Sequence, residues 1–245
     1  MRLTFILLSC LFFSTVKTSF SFEISSTSRQ LILGISKNWD DSEATLQRWE
    51  RRGPEWKRVG SDWKARLGKN GLAWGRGLHP ESALGPQKQE GDGRAPAGVF
   101  KLGNAYGYAS KIRKHPKLHY HHITVSALLL EDVSSKHYNR HLQLDGRGPL
   151  TEWEHEQQMR LNDQAHSLKL FIGHNAPPET VPGAGSAIFF HIWRRNGDAP
   201  TSGCTTMREK VLRQLIEWVD PNLYPVYTLL PEDVYRSVRE SWRLP

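Results

Sequence analysis

Cys204 and His191 are the two side chains whose types and spacing suggest covalent chemistry. The histidine lies thirteen residues upstream, in "IFFHIWRRNGDAPTSGCTTM" (188–207), and Gly203 directly precedes the cysteine. A thiol attacks as its thiolate, and a nearby imidazole is a common means of removing its proton. A glycine beside it lets a carbonyl approach without a Cβ in the way. Together they satisfy the requirements for acyl transfer through a thioester. The bland alternative is a buried free cysteine, a common core residue.

The redox context bears on that choice. The chain has two cysteines, Cys10 and Cys204. Residues 1–21 read as a secretory signal peptide: Arg2, an apolar run from Leu3 to Val16, then small residues around Ser19–Ser21. The run is short for a membrane span of about 20 residues, so no stable span is expected once the leader is removed. A retained anchor and a lipoprotein reading of "LLSC" are the weaker alternatives. Cleavage removes Cys10 and leaves Cys204 alone in an oxidising compartment, where thiols usually pair. An odd cysteine there is an intermolecular bridge or a reactive thiol. The expected location is exported, in the periplasm or cell wall.

The elements around the pair read mainly as strand. Strands are expected in the apolar run that opens 29–39, in pieces over 56–75 around the Asn70-Gly71 turn, as a short strand after a loop within 91–103, at 119–132 as one long strand, at 167–175, at 186–193 and at "YPVYTLL". A short helix is expected at 44–52. Thr151 and Glu154 have capping-box spacing, so a helix follows Thr151. "TTMREKVLRQLIEWVD" (205–220) predicts a helix with Met207, Val211, Leu215 and Val219 on one apolar face. Pro231 suits the first turn of a last helix. This places Cys204 at a strand-to-helix junction. There the helix dipole would lower its pKa, and N–H groups from Gly203 onward would serve as oxyanion donors.

Composition narrows the partners. Residues 22–245 suit one domain, with no repeat or linker, and a monomer is expected. A formal charge of +8 favours an anionic environment. No basic run or nucleic-acid motif appears, so wall polymers or lipid headgroups fit better than nucleic acid. "HYHH" (119–122) puts His119 and His121 on one strand face, but no further ligand has a persuasive spacing, so no metal is expected. "GDGRAPAG" lacks the Gly-Lys-Ser/Thr ending of a phosphate loop. The tryptophans at 39, 49, 56, 63 and 74 have no single period and read as packing.

The chain also resembles a known family. "SAIFFHIWRRNGDAPTSGCTTM" is similar to the active-site segment of the L,D-transpeptidase catalytic domain, or YkuD-like, family. That pattern is a histidine ending a strand, a variable loop, then Ser/Thr-x-Gly-Cys: here His191, Thr201, Gly203 and Cys204. "GLAWGRGLHP", "EGDGRAPAGVFKLGNAYGYA", "EDVSSKHYNR" and "LFIGHNAPP" follow the family's order, so the resemblance runs from about Leu31 to Pro225. It implies a YkuD-like β-sandwich or barrel with a few flanking helices and no cofactor. It also implies peptidoglycan stem peptides, or another anionic wall polymer, as partner. Cys204 would attack the carbonyl of the third, diamino-acid residue of a stem and release the terminal D-amino acid. His191 would act as base. Gly203, Ser202 and Thr201 would lie at the oxyanion or substrate site, and His174 and Asn175 are candidates to orient His191 or to cap a loop.

Three positions depart from the family pattern. Ile192 follows the first histidine where many members have glycine. Ser202 stands where many have a second histidine, and Thr206 where many have arginine or asparagine. Donor and acceptor therefore stay open, as do an L,D-carboxypeptidase, another secreted cysteine hydrolase, and a wall-binding protein with a weak site.

Overall fold

The computed structural model describes residues 22–82, 84–144, 146 and 148–245. The leader expected at 1–21 lies outside the described residues. Twelve strands are present among them: β1 Gln30–Ser36, β2 Glu43–Arg52, β3 Glu55–Arg66, β4 Leu72–Trp74, β5 Ala95–Gly107, β6 Tyr120–His122, β7 Ala127–Leu129, β8 His141–Gln143, β9 Leu168–Ile172, β10 Phe189–Ile192, β11 Thr205–Met207 and β12 Val226–Pro231. The helices are α1 Glu152–Glu156, α2 Glu209–Trp218 and α3 Glu232–Val238.

Eight of the strands close on themselves. The order is β12–β1–β2–β3–β11–β10–β9–β5, and β5 pairs back onto β12. Closure removes the unpaired edges that an open sheet would expose. The expected sandwich or barrel is thus a barrel. β1 runs parallel to β12 and β10 parallel to β11, while the other ring pairings are antiparallel. β4 and β6 add to β5 outside the ring.

One contact fixes which face is inside. Phe190 of β10 and Tyr227 of β12 are not neighbours in the ring, yet their ring centroids are 4.6 Å apart. They meet across the barrel. Thr205 and Tyr227 share a hydrogen bond at 3.2 Å in the same interior. Successive side chains on a strand point to opposite faces. With Phe190 inside, Phe189 and His191 therefore face outward.

The outer face is covered. The segment between β5 and β9 carries β6, β7, β8 and α1, and we call it the roof. Its Ile123, Ala127, Leu129 and Met159 pack with Tyr106 and Phe189, and Phe171, Ala187 and Cys204 flank the cluster. The capping box at Thr151 and Glu154 forms as the spacing predicts.

Several elements differ from the sequence expectation. Residues 44–52 are strand, not helix, because Ala44 and Leu46 bury alternately between β1 and β3. The long strand expected at 119–132 is two short ones, broken by the turn at Thr124–Ala127. The short strand expected within 91–103 is thirteen residues long, since β5 serves as partner to β4, β6, β9 and β12. Residues 205–207 are strand, and α2 starts only at Glu209. Its buried stripe is Leu212, Leu215 and Ile216, followed by Val219, rather than the face through Val211.

Candidate active site

Cys204 lies one residue before β11, on the barrel wall. β10 and β11 run in parallel with Phe190 level with Thr205 and His191 level with Thr206. Continued by one residue, that register sets Cys204 beside Phe189, two residues along from His191. From strand spacing and rise, the two Cα atoms are roughly 8 Å apart. The Phe189 N–H donates to Cys204 Sγ at 3.4 Å, and the thiol donates to the Ala187 carbonyl at 3.4 Å.

The helix-start account of this cysteine is overturned. Three strand residues and Arg208 separate it from α2, so no helix dipole reaches it. Its thiol is not depressed. Burial pushes it up to about 11, against the opposing pull of the Phe189 N–H and the Lys169 charge. The N–H groups from Gly203 onward are not helix-start donors either. Gly203 N–H donates to Thr201 Oγ1 at 3.0 Å, and the residues from Thr205 enter the β10–β11 ladder.

His191 is buried, and its tautomer follows from its neighbours. Nδ1 faces the carbonyls of Ile192 at 2.9 Å and Ala165 at 3.2 Å. Carbonyls only accept, so Nδ1 carries the proton and Nε2 is left as the basic edge. Burial holds the imidazolium form off to about pH 3, helped by the nearby His166 and Lys169. At neutral pH the pair is thus thiol and neutral imidazole. No hydrogen bond joins Sγ to the imidazole among the described residues. Catalytic hydrogen bonds often tighten only when substrate is bound.

The other expected residues fall into two groups. Thr201 shapes the turn: its Oγ1 donates to the Cys204 carbonyl at 2.7 Å, and its own N–H donates to Leu67 O at 2.8 Å. Ser202 is exposed beside it. Gly203 has φ +152°, and a Cβ there would sit 3.0 Å from the Arg94 carbonyl. His174 and Asn175 are not beside His191. His174 accepts the Arg76 N–H at Nδ1, 3.1 Å, and donates from Nε2 to Ala184 O at 2.9 Å. Asn175 binds Val181 and Gly185 through three side-chain hydrogen bonds. Both therefore organise the loop that ends at Ala187, whose carbonyl holds the thiol.

Sequence reasoning missed three neighbours, His166, Asn139 and Lys169, and left the setting of Thr206 open. His166 stacks on His191 at 4.5 Å between ring centroids and is bonded to Asp163, which also accepts from Arg194 at 2.6 Å. The Asp163–His166 spacing was a weak signal for this. Buried Asn139 donates to the His174 and Asn175 carbonyls and accepts the Ala187 N–H at 3.0 Å. Thr206, level with His191, is buried and its hydroxyl has no partner among the described residues. Lys169 pairs with His191 across the β9–β10 ladder and is buried beneath the roof.

His121 has its ring centroid 4.4 Å from that of His119 and also packs against His141 and Tyr106. Among the described residues no group of three or more His, Cys, Asp or Glu has metal-holding geometry. A cleft of about 350 Å³ opens beside Tyr106, Phe171 and His141, on the outer face that carries Cys204.

The site is thus a closed barrel that sets a cysteine and a neutral histidine on the outer face of neighbouring segments, covered by the roof. The L,D-transpeptidase catalytic domain family, YkuD, matches residues 55–228, and the chain belongs to that family. No curated protein and no solved structure is significantly similar to it. Its activity is accordingly of the L,D-transpeptidase type, directed at peptidoglycan. Among the described residues no helix is long and apolar enough to cross a membrane.

Proposed function

We propose that the protein is an exported, cysteine-dependent L,D-transpeptidase that forms a thioester between Cys204 and a peptidoglycan stem peptide. The observation that carries this reading is the outward-facing register of Cys204, one residue before β11, and His191 on β10, with the basic Nε2 edge of the histidine set by its Nδ1 bonds. Nε2 takes the thiol proton as Sγ bonds to the carbonyl carbon of the third stem residue. The carbonyl π electrons move to oxygen and form the tetrahedral oxyanion. When the oxyanion collapses, the C–N bond to the terminal D-amino acid breaks, and the imidazolium returns the proton to the leaving amine. An acceptor amine then attacks the thioester, gives its proton to Nε2, and releases the thiol. Water as acceptor would make the same site an L,D-carboxypeptidase.

The test is mass spectrometry of muropeptides after incubation with the purified protein. Wild type is expected to give a cross-linked or shortened stem and an intermediate covalent adduct on Cys204. Cys204→Ala should abolish adduct and turnover while keeping the fold. His191→Ala should slow acylation by the ~10²–10⁴-fold typical of a lost general base. Wild-type turnover by Cys204→Ala would falsify the covalent mechanism.

A further inference from the structure

Lys169 is a charged side chain placed where charge is costly. Its strand reads Leu168-Lys169-Leu170-Phe171-Ile172, with Leu168, Leu170 and Ile172 turned to the barrel core. Lys169 therefore points outward, as a solvated lysine on a half-exposed strand would. The roof covers it, and it is 4% exposed. Of its three donors only one is used among the described residues, in a bond to the Met159 carbonyl at 3.1 Å. Burying an ammonium with so few hydrogen-bond partners is costly unless another charge compensates it.

Its position relative to the site is well defined. Lys169 lies directly opposite His191 in the β9–β10 ladder and opposite Tyr106 in the β5–β9 ladder. The ammonium is 5.4 Å from the centroid of the Phe189 ring. Phe189 is also the residue whose N–H holds Cys204 Sγ. We infer that Lys169 is a positioning residue for acyl transfer: its buried ammonium stabilises the negative charge that appears at Cys204 when the thiol proton leaves. This rests on the cysteine mechanism proposed above.

The charges around it fit that role. His191 of β10 and Tyr106 of β5 lie opposite it in the ladders, and Cys204 and the roof's Glu131, Asp163 and His166 are near enough for their charges to act on it or to feel it. Burial lowers its own pKa to about 8, against the opposing effects of Cys204, Glu131 and Asp163. It also helps keep the His191 imidazole neutral, after burial and His166, so the base is ready to accept. In the resting state the thiol is neutral and the ammonium is poorly compensated. When Nε2 takes the proton, sulfur becomes anionic and the two charges offset each other in a poorly solvated site, where the interaction is stronger than in water.

The experiment compares wild type, Lys169→Met, Lys169→Arg and Cys204→Ala, each checked for fold by circular dichroism. Acylation by a synthetic stem tetrapeptide is followed by intact mass from pH 5 to 10. Alkylation of Cys204 by iodoacetamide is mapped over the same range. Lys169→Met is expected to slow acylation by about 10²-fold, comparable to losing one oxyanion donor, and to lower the alkylation rate at pH 7, where the wild-type ammonium is charged. Wild-type acylation should fall above about pH 8 as the ammonium deprotonates. Lys169→Arg should retain most of the rate and lose that falling limb, because guanidinium does not titrate there. This readout survives if Lys169→Met fails to fold. Acylation by Lys169→Met with the wild-type rate and profile would overturn the inference while leaving the cysteine mechanism standing. A wild-type rate that rises through pH 8, with Lys169→Arg inactive, would also overturn it, since the lysine would then be a base. Acylated Cys204→Ala would instead overturn the functional reading beneath it.

Discussion

His191 and Cys204 share the outer face of one barrel wall, on neighbouring parallel strands and two residues apart in register. The imidazole is pinned through Nδ1 to the Ile192 and Ala165 carbonyls, and the sulfur is held between the Phe189 N–H and the Ala187 carbonyl. Both groups are neutral at pH 7, so the proton moves during the reaction and is not shed beforehand.

That neutrality has a direct signature in alkylation. With the thiol pushed up to about 11, labelling of Cys204 by iodoacetamide should be slow at pH 7. It should rise close to tenfold per pH unit through pH 9, without levelling near 8.5, the ordinary cysteine value. A plateau at or below pH 8.5 in peptide-mapped labelling would show a preformed thiolate.

The turn before the cysteine should tolerate change on one side only. Ser202 is exposed, so Ser202→Ala should alter stability by less than ~0.5 kcal/mol and acylation little. Gly203 has φ +152°, and a Cβ added there would meet the Arg94 carbonyl at 3.0 Å and Ile188 Cδ1 at 3.3 Å. Gly203→Val should therefore be far more damaging to acylation by a stem tetrapeptide or a thiol-reactive β-lactam. Equal losses for the two variants would make the serine hydroxyl a donor in its own right.

Asn139 ties the roof to the loop that holds the thiol. Its amide serves the His174 and Asn175 carbonyls at 3.2 and 2.8 Å and the Ala187 N–H at 3.0 Å. Its φ of 57° is a conformation that asparagine tolerates better than most residues. Asn139→Ala would strand these backbone groups at a cost of about 1–3 kcal/mol for each one left unsatisfied. Urea unfolding should show a loss of that order, and acylation should slow as Ala187 loosens. An unchanged unfolding midpoint would count against the tie.

Acid should weaken the fold before it protonates many carboxylates. Burial, the largest cause at each, lowers His79 to about 4 and His174 and His191 to about 3. These groups bind protons more readily unfolded, near pH 6.5, than folded. Their contribution is thus fully present above about pH 6.5 and is lost as pH falls towards 3–4. By pH 5 the linkage amounts to about 2 kcal/mol for each histidine. Urea midpoints should drop steadily from pH 7 to pH 5, and a flat profile over that range would contradict the buried neutral imidazoles.

Much of the site was written in local sequence. The Gly203-Cys204 step, the upstream His191 and the strand alternation at Leu168, Leu170 and Ile172 depend on neighbours within a few residues, so they can be read without a fold. The capping box at Thr151 is legible for the same reason. What the sequence could not decide is where long-range pairing ends each element. Thr205–Met207 follow a helical pattern in sequence but become strand, because β10 and β3 supply ladder partners that α2 does not. Only closure of the barrel puts Phe190 inside and His191 and Cys204 outside. Lys169 shows the limit most clearly. Alternation marks it as outward and so as solvated, and only the roof, packed from residues far away in the chain, turns it into a buried charge opposite His191. Burial is set by the whole surface around a residue, and a local pattern does not contain it.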